Sequence, residues 1–439
     1  MTGRNGARAY RRKVNLGGVA LRFAPFRLCA LATLLSACGA RGDDSSTLRF
    51  WAFGREGEVV QELVRDFERG HPGARIRVQQ MPWSAAHEKL LTAIVGRATP
   101  DLAQMGNTWI PEMVTLGALA PVGARLPDSS YFPGIVATNV VDDTLFGVPW
   151  YVDTRVLFYR KDLLARAGYA AMPSTWEGWR EAMLALKRTM GPDAYPIFLP
   201  INEWPPLAIL GLQQGSPLVT GQGFGAFRQP AYARAFDFLL SLYRDGLAAP
   251  VTNNEVANLY QEFARGSFAM YITGPWNLGE FRRRLPPDLA DAWTTAPLPG
   301  PRGAESGVSL AGGSSLVVFR ASPHRALALE LIAFLSQPEQ QARFYRLTGD
   351  LPARREAWAD SALAGDREAD AFRVQLERAV PTPMIPEWEE VTTKLMDHTE
   401  AAVRGGKTPE AALAGLDADV DRLLERRRYL RARRGVDTP

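Results

Sequence analysis

The sequence predicts an α/β fold with a parallel sheet, and three observations carry that expectation. Strand-like and helix-like periodicities alternate from Thr47 to Met105 in the order strand, helix, strand, helix, strand. That order is the signature of helices packed on the faces of a parallel sheet. Extended and helical segments alternate again from Phe146 to Phe319. At 439 residues, 46% of them hydrophobic, the chain is long enough for two or three domains, each with its own core.

The elements follow in order. Thr47 to Phe53 alternates and is β-prone. Val60, Leu63, Val64 and Phe67 recur at helical spacing as far as the stop signal Gly70-His71-Pro72-Gly73. Residues 74–80 alternate with Ile76 and Val78 on one face, Leu90, Leu91, Ile94 and Val95 mark a second helix, and 101–105 is a short strand. Residues 146–152 and 156–159 read as extended. Ser174 or Thr175 caps a helix running through Met183, Leu184 and Leu186, with Trp176 and Trp179 at i, i+3 assigned to the core. Helical patterns recur at 230–245 and 255–265, strands at 267–272 and 316–319, and from Pro323 onward the pattern is almost all helix. Gly221 to Gly225 reads as a loop, and the arginine-rich run Arg426 to Arg434 as the solvated end of a helix.

The formal charge of +4 conceals an acidic body. Residues 1–37 hold seven basic residues and no acidic one, and residues 422–439 hold seven arginines against Glu425 and Asp437. Between them, residues 38–421 carry 37 basic against 45 acidic side chains, a net of −8. A mildly acidic body is a poor phosphate-backbone binder, so nucleic acid is not the target.

The basic start leads into the short apolar stretch Leu28 to Leu35, then Ser36-Ala37 and Cys38. A basic region, an apolar core and a small-residue cut site make a secretory signal, here 1–37. The apolar run is far below the ~20 residues that span a bilayer. Leu35-Ser36-Ala37-Cys38 resembles a bacterial lipobox, in which the cysteine is acylated and becomes the first mature residue; an ordinary cleaved signal is the alternative. Residues 38–46 read as a small, polar tether.

Several chemistries lack a motif. Two cysteines rule out a disulfide-built scaffold and a four-thiolate zinc site. None of His71, His87, His324 and His398 is paired at metal-ligand spacing, and no nucleophile elbow or phosphate loop appears. No cofactor and no metal is expected. Glu56 with Glu58, or Asp142 with Asp143, could serve a glycosidase only if folded to the separation that chemistry requires. Solvated surface acids are the plainer reading of each pair.

What the chain does have is tryptophan beside polar groups and helix breakers: Trp109 after Asn107-Thr108, Trp150 before Tyr151-Val152-Asp153, Trp204 before Pro205, and Trp276 after Gly274-Pro275. A sugar needs aromatic faces against its C–H faces, and carboxylates, amides and arginine for its hydroxyls. Each tryptophan taken alone reads equally well as core.

Together with the lipobox, a series of segments becomes familiar: Asp66 to Gly73, Pro149 to Thr154, Leu157 to Leu163, Pro173 to Glu177, Ile272 to Trp276 and Ala379 to Pro383. Their order and spacing resemble the extracellular solute-binding proteins of bacterial sugar ABC transporters, in particular the trehalose/maltose-type receptors, over essentially all of 47–425. The resemblance implies the type II periplasmic-binding-protein-like fold, two α/β lobes closing on one sugar. The N-terminal lobe would comprise 47–152 and 307–337, and the C-terminal lobe 153–306 and 338–439. Crossings between lobes would lie at 150–156, near 296–306, and at the end of a helix at 326–336.

Carried over by matched motif, Glu56, Tyr151 and Asp153 would bond sugar hydroxyls and Trp276 would stack on a ring. Gly312 and Gly313 would let backbone approach the ligand, and Arg354 would reach the cleft. Two departures matter. Gly106 and Asn107 follow Met105 where the family often has an Asp, and Ser314 follows Gly313 where it often has a Trp. Asn107 and Trp204 are the candidate replacements. The resulting expectation is a monomeric, non-enzymatic lipoprotein in the periplasm or on the cell surface, anchored at Cys38. It would bind an α-linked disaccharide, trehalose or maltose, and pass it to the permease subunits. The alternative is a secreted lipoprotein glycoside hydrolase using a carboxylate pair.

Overall fold

The computed structural model describes residues 47–433 apart from 124–125 and 127–128. The segments expected to be signal and tether, with Cys38, lie outside the described residues. In chain order the strands are β1 (Thr47–Phe53), β2 (Arg75–Met81), β3 (Leu102–Gly106), β4 (Leu119–Ala120), a small hairpin β5 (Val140–Val141) and β6 (Thr144–Leu145), and β7 (Gly147–Asp153). Then come β8 (Val156–Arg160), β9 (Tyr195–Phe198), β10 (Phe268–Thr273), β11 (Trp293–Ala296), β12 (Ser309–Leu310), β13 (Gly312–Phe319), β14 (Leu351–Pro352) and β15 (Ala379–Val380).

The first lobe is organised on the sheet β14-β7-β13-β3-β1-β2, with β4 beside β13. Strands β2, β1 and β3 are parallel, as the strand–helix alternation requires; β13 runs antiparallel to both β3 and β7. Helices α1 (Gly54–Gly70) and α2 (Trp83–Val95) connect the parallel strands. Two apolar layers cover the sheet, one through Leu63, Phe67 and Trp150, the other through Phe53, Leu90 and Met105. Strands covered on both faces need apolar residues throughout, which is why β3 and β13 lose the alternation of a half-buried strand. The edge strand β2 keeps it, and its outward Arg75 and Arg77 discourage further pairing.

The second lobe holds the sheet β11-β8-β10-β9, where β8 is antiparallel to both neighbours and β10 pairs parallel with β9. Its helices bury Trp176 and Trp179, the former stacked on Phe238 at 4.3 Å with its indole N–H donating to Gln213 at 2.7 Å. Thr175 caps that helix by accepting from the Gly178 amide at 3.1 Å. The arginine-rich end does more than meet solvent. Arg428 lies 4.2 Å over the Phe224 ring and donates to the Gly223 carbonyl, and Arg431 donates to that of Gly221. The loop 221–225 and the last helix thus hold each other.

The chain passes between the sheets at three places. Asp153 ends β7 in the first sheet and Val156 begins β8 in the second; β11 and β13 are likewise joined across residues 297–311. The third passage differs from expectation. The helix Pro338–Thr348 packs on α1, Phe344 lies 4.4 Å from Trp150, and β14 pairs with β7. Residues 338–352 therefore belong with the first sheet, and the chain leaves it after β14 rather than after the helix Arg325–Leu335. The reason is apolar: Phe344 completes the layer around Trp150, which a start of the second lobe at 338 would leave open.

Candidate functional site

Between the sheets lies a cavity of about 450 Å³, walled by the carboxyl ends of β3 and β7 and the start of the antiparallel β13 from the first lobe and by the starts of two helices, Trp204–Gln213 and Trp276–Arg284, from the second. Clefts beyond the carboxyl ends of strands are where α/β folds place their ligands.

Glu56 sits in the first turn of α1, where the helix dipole favours a carboxylate. One of its oxygens, Oε1, collects every donor. The Tyr151 hydroxyl donates at 2.8 Å, the Trp83 indole N–H at 3.2 Å and the Gln104 amide at 3.5 Å. Gln104 also donates to the Tyr151 hydroxyl at 3.0 Å, while its oxygen accepts from the Phe53 amide at 2.7 Å. Among the described residues Oε2 accepts no hydrogen bond. Burial first, then the Glu56 charge, pushes the Tyr151 phenol well above its ordinary range, so it remains a donor.

Asp153, the last residue of β7, accepts from Arg155 across the passage to β8. The Arg155 guanidinium lies 4.5 Å over the ring of Trp276, linking the end of one sheet to a helix of the other lobe. Gly313, paired with β7, holds a φ of +117°, and a Cβ there would stand 2.3 Å from the Tyr151 carbonyl. Glycine is thus demanded by the strand pairing at the cavity wall.

Of the residues expected at the site, Glu56, Asn107, Tyr151, Asp153, Trp204, Trp276, Gly312 and Gly313 all line the cavity. Arg354 does not. Its guanidinium donates to Glu356 at 3.1 Å and lies over the Tyr131 ring, so the expectation that it reaches the cleft is corrected. That charged partner already offers paired acceptors and holds the fork outside. Asn107 is largely occupied: its amide donates to Thr138 at 2.7 Å and its oxygen accepts from Ser315 at 3.0 Å. Trp150 is core, with no exposed surface. Neither proposed glycosidase pair assembles, since Glu58 is exposed and Asp142 and Asp143 form the left-handed turn between β5 and β6.

Trp109, one of the tryptophans set beside polar groups in the sequence, also lines the cavity, and several further lining residues were not anticipated: Trp83, Thr108, Arg155 and Asp350. Trp83 and Trp109 meet edge to face at 5.7 Å, and with Trp204 and Trp276 they put four indoles around one space. Thr108 donates to Glu389 of the second lobe at 2.7 Å, a hydrogen bond across the cleft. Asp350, placed by β14, brings a third carboxylate beside Glu56 and Asp153; burial, then the charge of Glu56, pushes it up to about 7. Arg155 is the only basic side chain among the described lining residues. A cavity with three carboxyls and one engaged guanidinium repels anions and offers acceptors to hydroxyl donors.

Residues 53–342 match the family of bacterial extracellular solute-binding proteins. The chain is a bacterial extracellular solute-binding protein. This solute-binding protein superposes on the sugar-binding protein MalE of Xanthomonas citri with a TM-score of 0.84 and 47% identity, over 88% of this chain and 98% of that one. The diacetylchitobiose binding protein DasA of Streptomyces coelicolor is 26% identical over 90% of this chain and 97% of its own length. The galactooligosaccharide-binding protein of Bacillus subtilis is 25% identical over 88% and 94%. Family membership makes this a binding protein that works outside the cytoplasm, and the two-lobe fold is the family's own.

Proposed function

We propose that this solute-binding protein captures an α-linked disaccharide, of the trehalose or maltose kind, and delivers it to the permease of an ABC importer. The observation that carries the reading is the pairing of four indoles with the free oxygen of Glu56 in one cavity between two lobes. Aromatic faces take the apolar side of a pyranose while fixed acceptors take its hydroxyls. The likeness to MalE, DasA and the galactooligosaccharide-binding protein supports a saccharide over other solutes. In this reading Asp153, Tyr151 and Glu56 bond hydroxyls, Trp276 stacks, and the chain acts as a monomer tethered to the membrane through an acylated Cys38.

Isothermal titration calorimetry of the purified protein with trehalose, maltose, sucrose and glucose, beside Asp153→Ala, tests it. One-site binding of a disaccharide that the variant loses is the expected result. Silence with all four refutes the trehalose or maltose assignment and moves the ligand to another glycan or to glycerol phosphates, and continuous heat with breakdown of the sugar refutes the receptor in favour of a hydrolase. For the anchor, Cys38→Ala should move the protein from the detergent phase to the aqueous phase in Triton X-114 partitioning; an unchanged partition removes the lipid from the account.

A further inference from the structure

The contacts that tie the last helix to the loop 221–225 use only some of its arginines. Arg428 and Arg431 hold that loop, and Arg427 turns toward Glu387 at 3.7 Å. The others point outward. Arg422, Arg426, Tyr429 and Arg433 are all exposed, at the i, i+4, i+7, i+11 spacing of one face of the helix Pro409–Arg433. Arg426 has neither a hydrogen bond nor an ion pair among the described residues. Arg433 lies 4.9 Å over the Tyr429 ring, and Arg422 meets Asp419 with most of its side chain in solvent.

The same end also exposes apolar side chains. Among the described residues six large ones are exposed, and three of them gather here: Phe224 at 44%, Tyr429 at 56% and Leu430 at 44%. Arg428, 4.2 Å over the Phe224 ring, joins the loop to the helix. Single exposed apolar residues need no explanation, whereas a cluster of them set among cations marks an interaction surface.

Charge sets this end apart from the rest of the chain. Residues 422–439 carry seven arginines against two acids, a net of +5, whereas residues 38–421 carry 37 basic against 45 acidic side chains, a net of −8. An anionic surface attracts the first and repels the second, so it selects this end. Arginines interleaved with Tyr, Phe and Leu suit the boundary of a bilayer. Guanidinium groups meet the phosphates there while aromatic and leucine tips enter the edge of the acyl region. A soluble polyanion would satisfy the arginines and leave Leu430 in water.

We propose that the end of the last helix, with the loop 221–225, is a contact surface for an anionic lipid bilayer. Arg422, Arg426 and Arg433 meet the headgroups, and Tyr429, Leu430 and Phe224 enter beneath them. The contact orients the protein on the membrane and needs neither a bound saccharide nor an acyl group at Cys38.

Vesicle sedimentation tests this on residues 46–439, which hold every described element and form a compact unit of their own, so that neither the basic N-terminus nor Cys38 contributes. The vesicles are phosphatidylcholine alone or with about 30% phosphatidylglycerol, at about 0.05 M and about 0.5 M NaCl. The protein should sediment with the anionic vesicles at low salt, less at high salt, and not with the neutral ones. An arginine near an anionic surface is worth about fivefold in partition, so Arg426→Glu with Arg433→Glu should lower it by about thirtyfold or more. Arg166→Glu with Arg188→Glu, the same change in charge at exposed sites on other helices, should leave it within about threefold. Tyr429→Ala with Leu430→Ser should lower it about tenfold. All six positions are exposed, so the fold survives these changes. No sedimentation with anionic vesicles, equal binding to neutral ones, an equal loss in the two charge-reversed pairs, or an unchanged partition in the Tyr429 and Leu430 variant overturns the proposal.

Discussion

Asp350→Asn isolates the electrostatic strain of the cleft. The carboxyl of Asp350 is raised from the ordinary 3.8 to about 7, by burial first and by Glu56 second. Between those two values the folded chain holds a proton that the unfolded chain has released. Stability therefore falls as pH rises through that window and is level above it. Three pH units at about 1.4 kcal/mol each give a full cost of roughly 4 kcal/mol. Asp350 keeps partial contact with solvent through the cavity, so about half of that, ~2 kcal/mol, is the expected net figure. The amide has nearly the same shape and no charge. Thermal unfolding of ligand-free protein at pH 5 and pH 8 is the assay. Wild type should lose several degrees between the two relative to Asp350→Asn, and the variant should be the more stable at pH 8. Parallel pH profiles for the two proteins would refute the argument.

Two further outcomes follow from the packing. Phe344→Ala removes the ring against Trp150 and should cost about 3–5 kcal/mol in denaturant unfolding, whereas a change under about 1 kcal/mol would mean the helix Pro338–Thr348 is not part of the first core. Thr108→Val deletes the hydrogen bond to Glu389 across the cleft and should weaken saccharide affinity about fivefold, with the ligand-free Tm nearly unchanged; an unaltered Kd would mean the bond does not contribute to closure.

The parallel half of the first sheet was legible because each of its elements has a local signal: alternation in β1 and β2, a 3.6-residue period and a Gly-Pro stop in α1. Glu56, Tyr151, Asp153 and Trp276 were legible through motif spacing, and the cavity gathers them. Asp350 was not, because its place depends on β14 pairing with β7 some two hundred residues away, a contact without local periodicity. Trp83 was hidden for a related reason. As the first residue of α2 it reads as the start of a helix, and only the parallel register of β1 and β2 sets it over Glu56. Arg354 stands two residues beyond β14, and the local pull of Glu356 outweighs the motif that suggested the cleft. Trp150 shows the opposite case: polar neighbours in sequence, but an inward-facing position on β7 that only the sheet reveals.

The order of strands in the first sheet has a consequence for how the molecule is made. Its central strand, β13, is contributed by residues 312–319, and it lies between β3 and β7, which are synthesised more than 150 residues earlier. Until that stretch emerges, β3 and β7 have no partner between them, and the edge of β7 waits longer still for β14. A nascent chain ending before residue 312 can form the β1–β2–β3 unit with its helices, yet it cannot close the sheet. Closure therefore comes late and depends on contacts of long sequence separation, which slow folding. A chain that stays open until most of it has been made also remains threadable for most of its synthesis, a property that suits a protein working outside the cytoplasm.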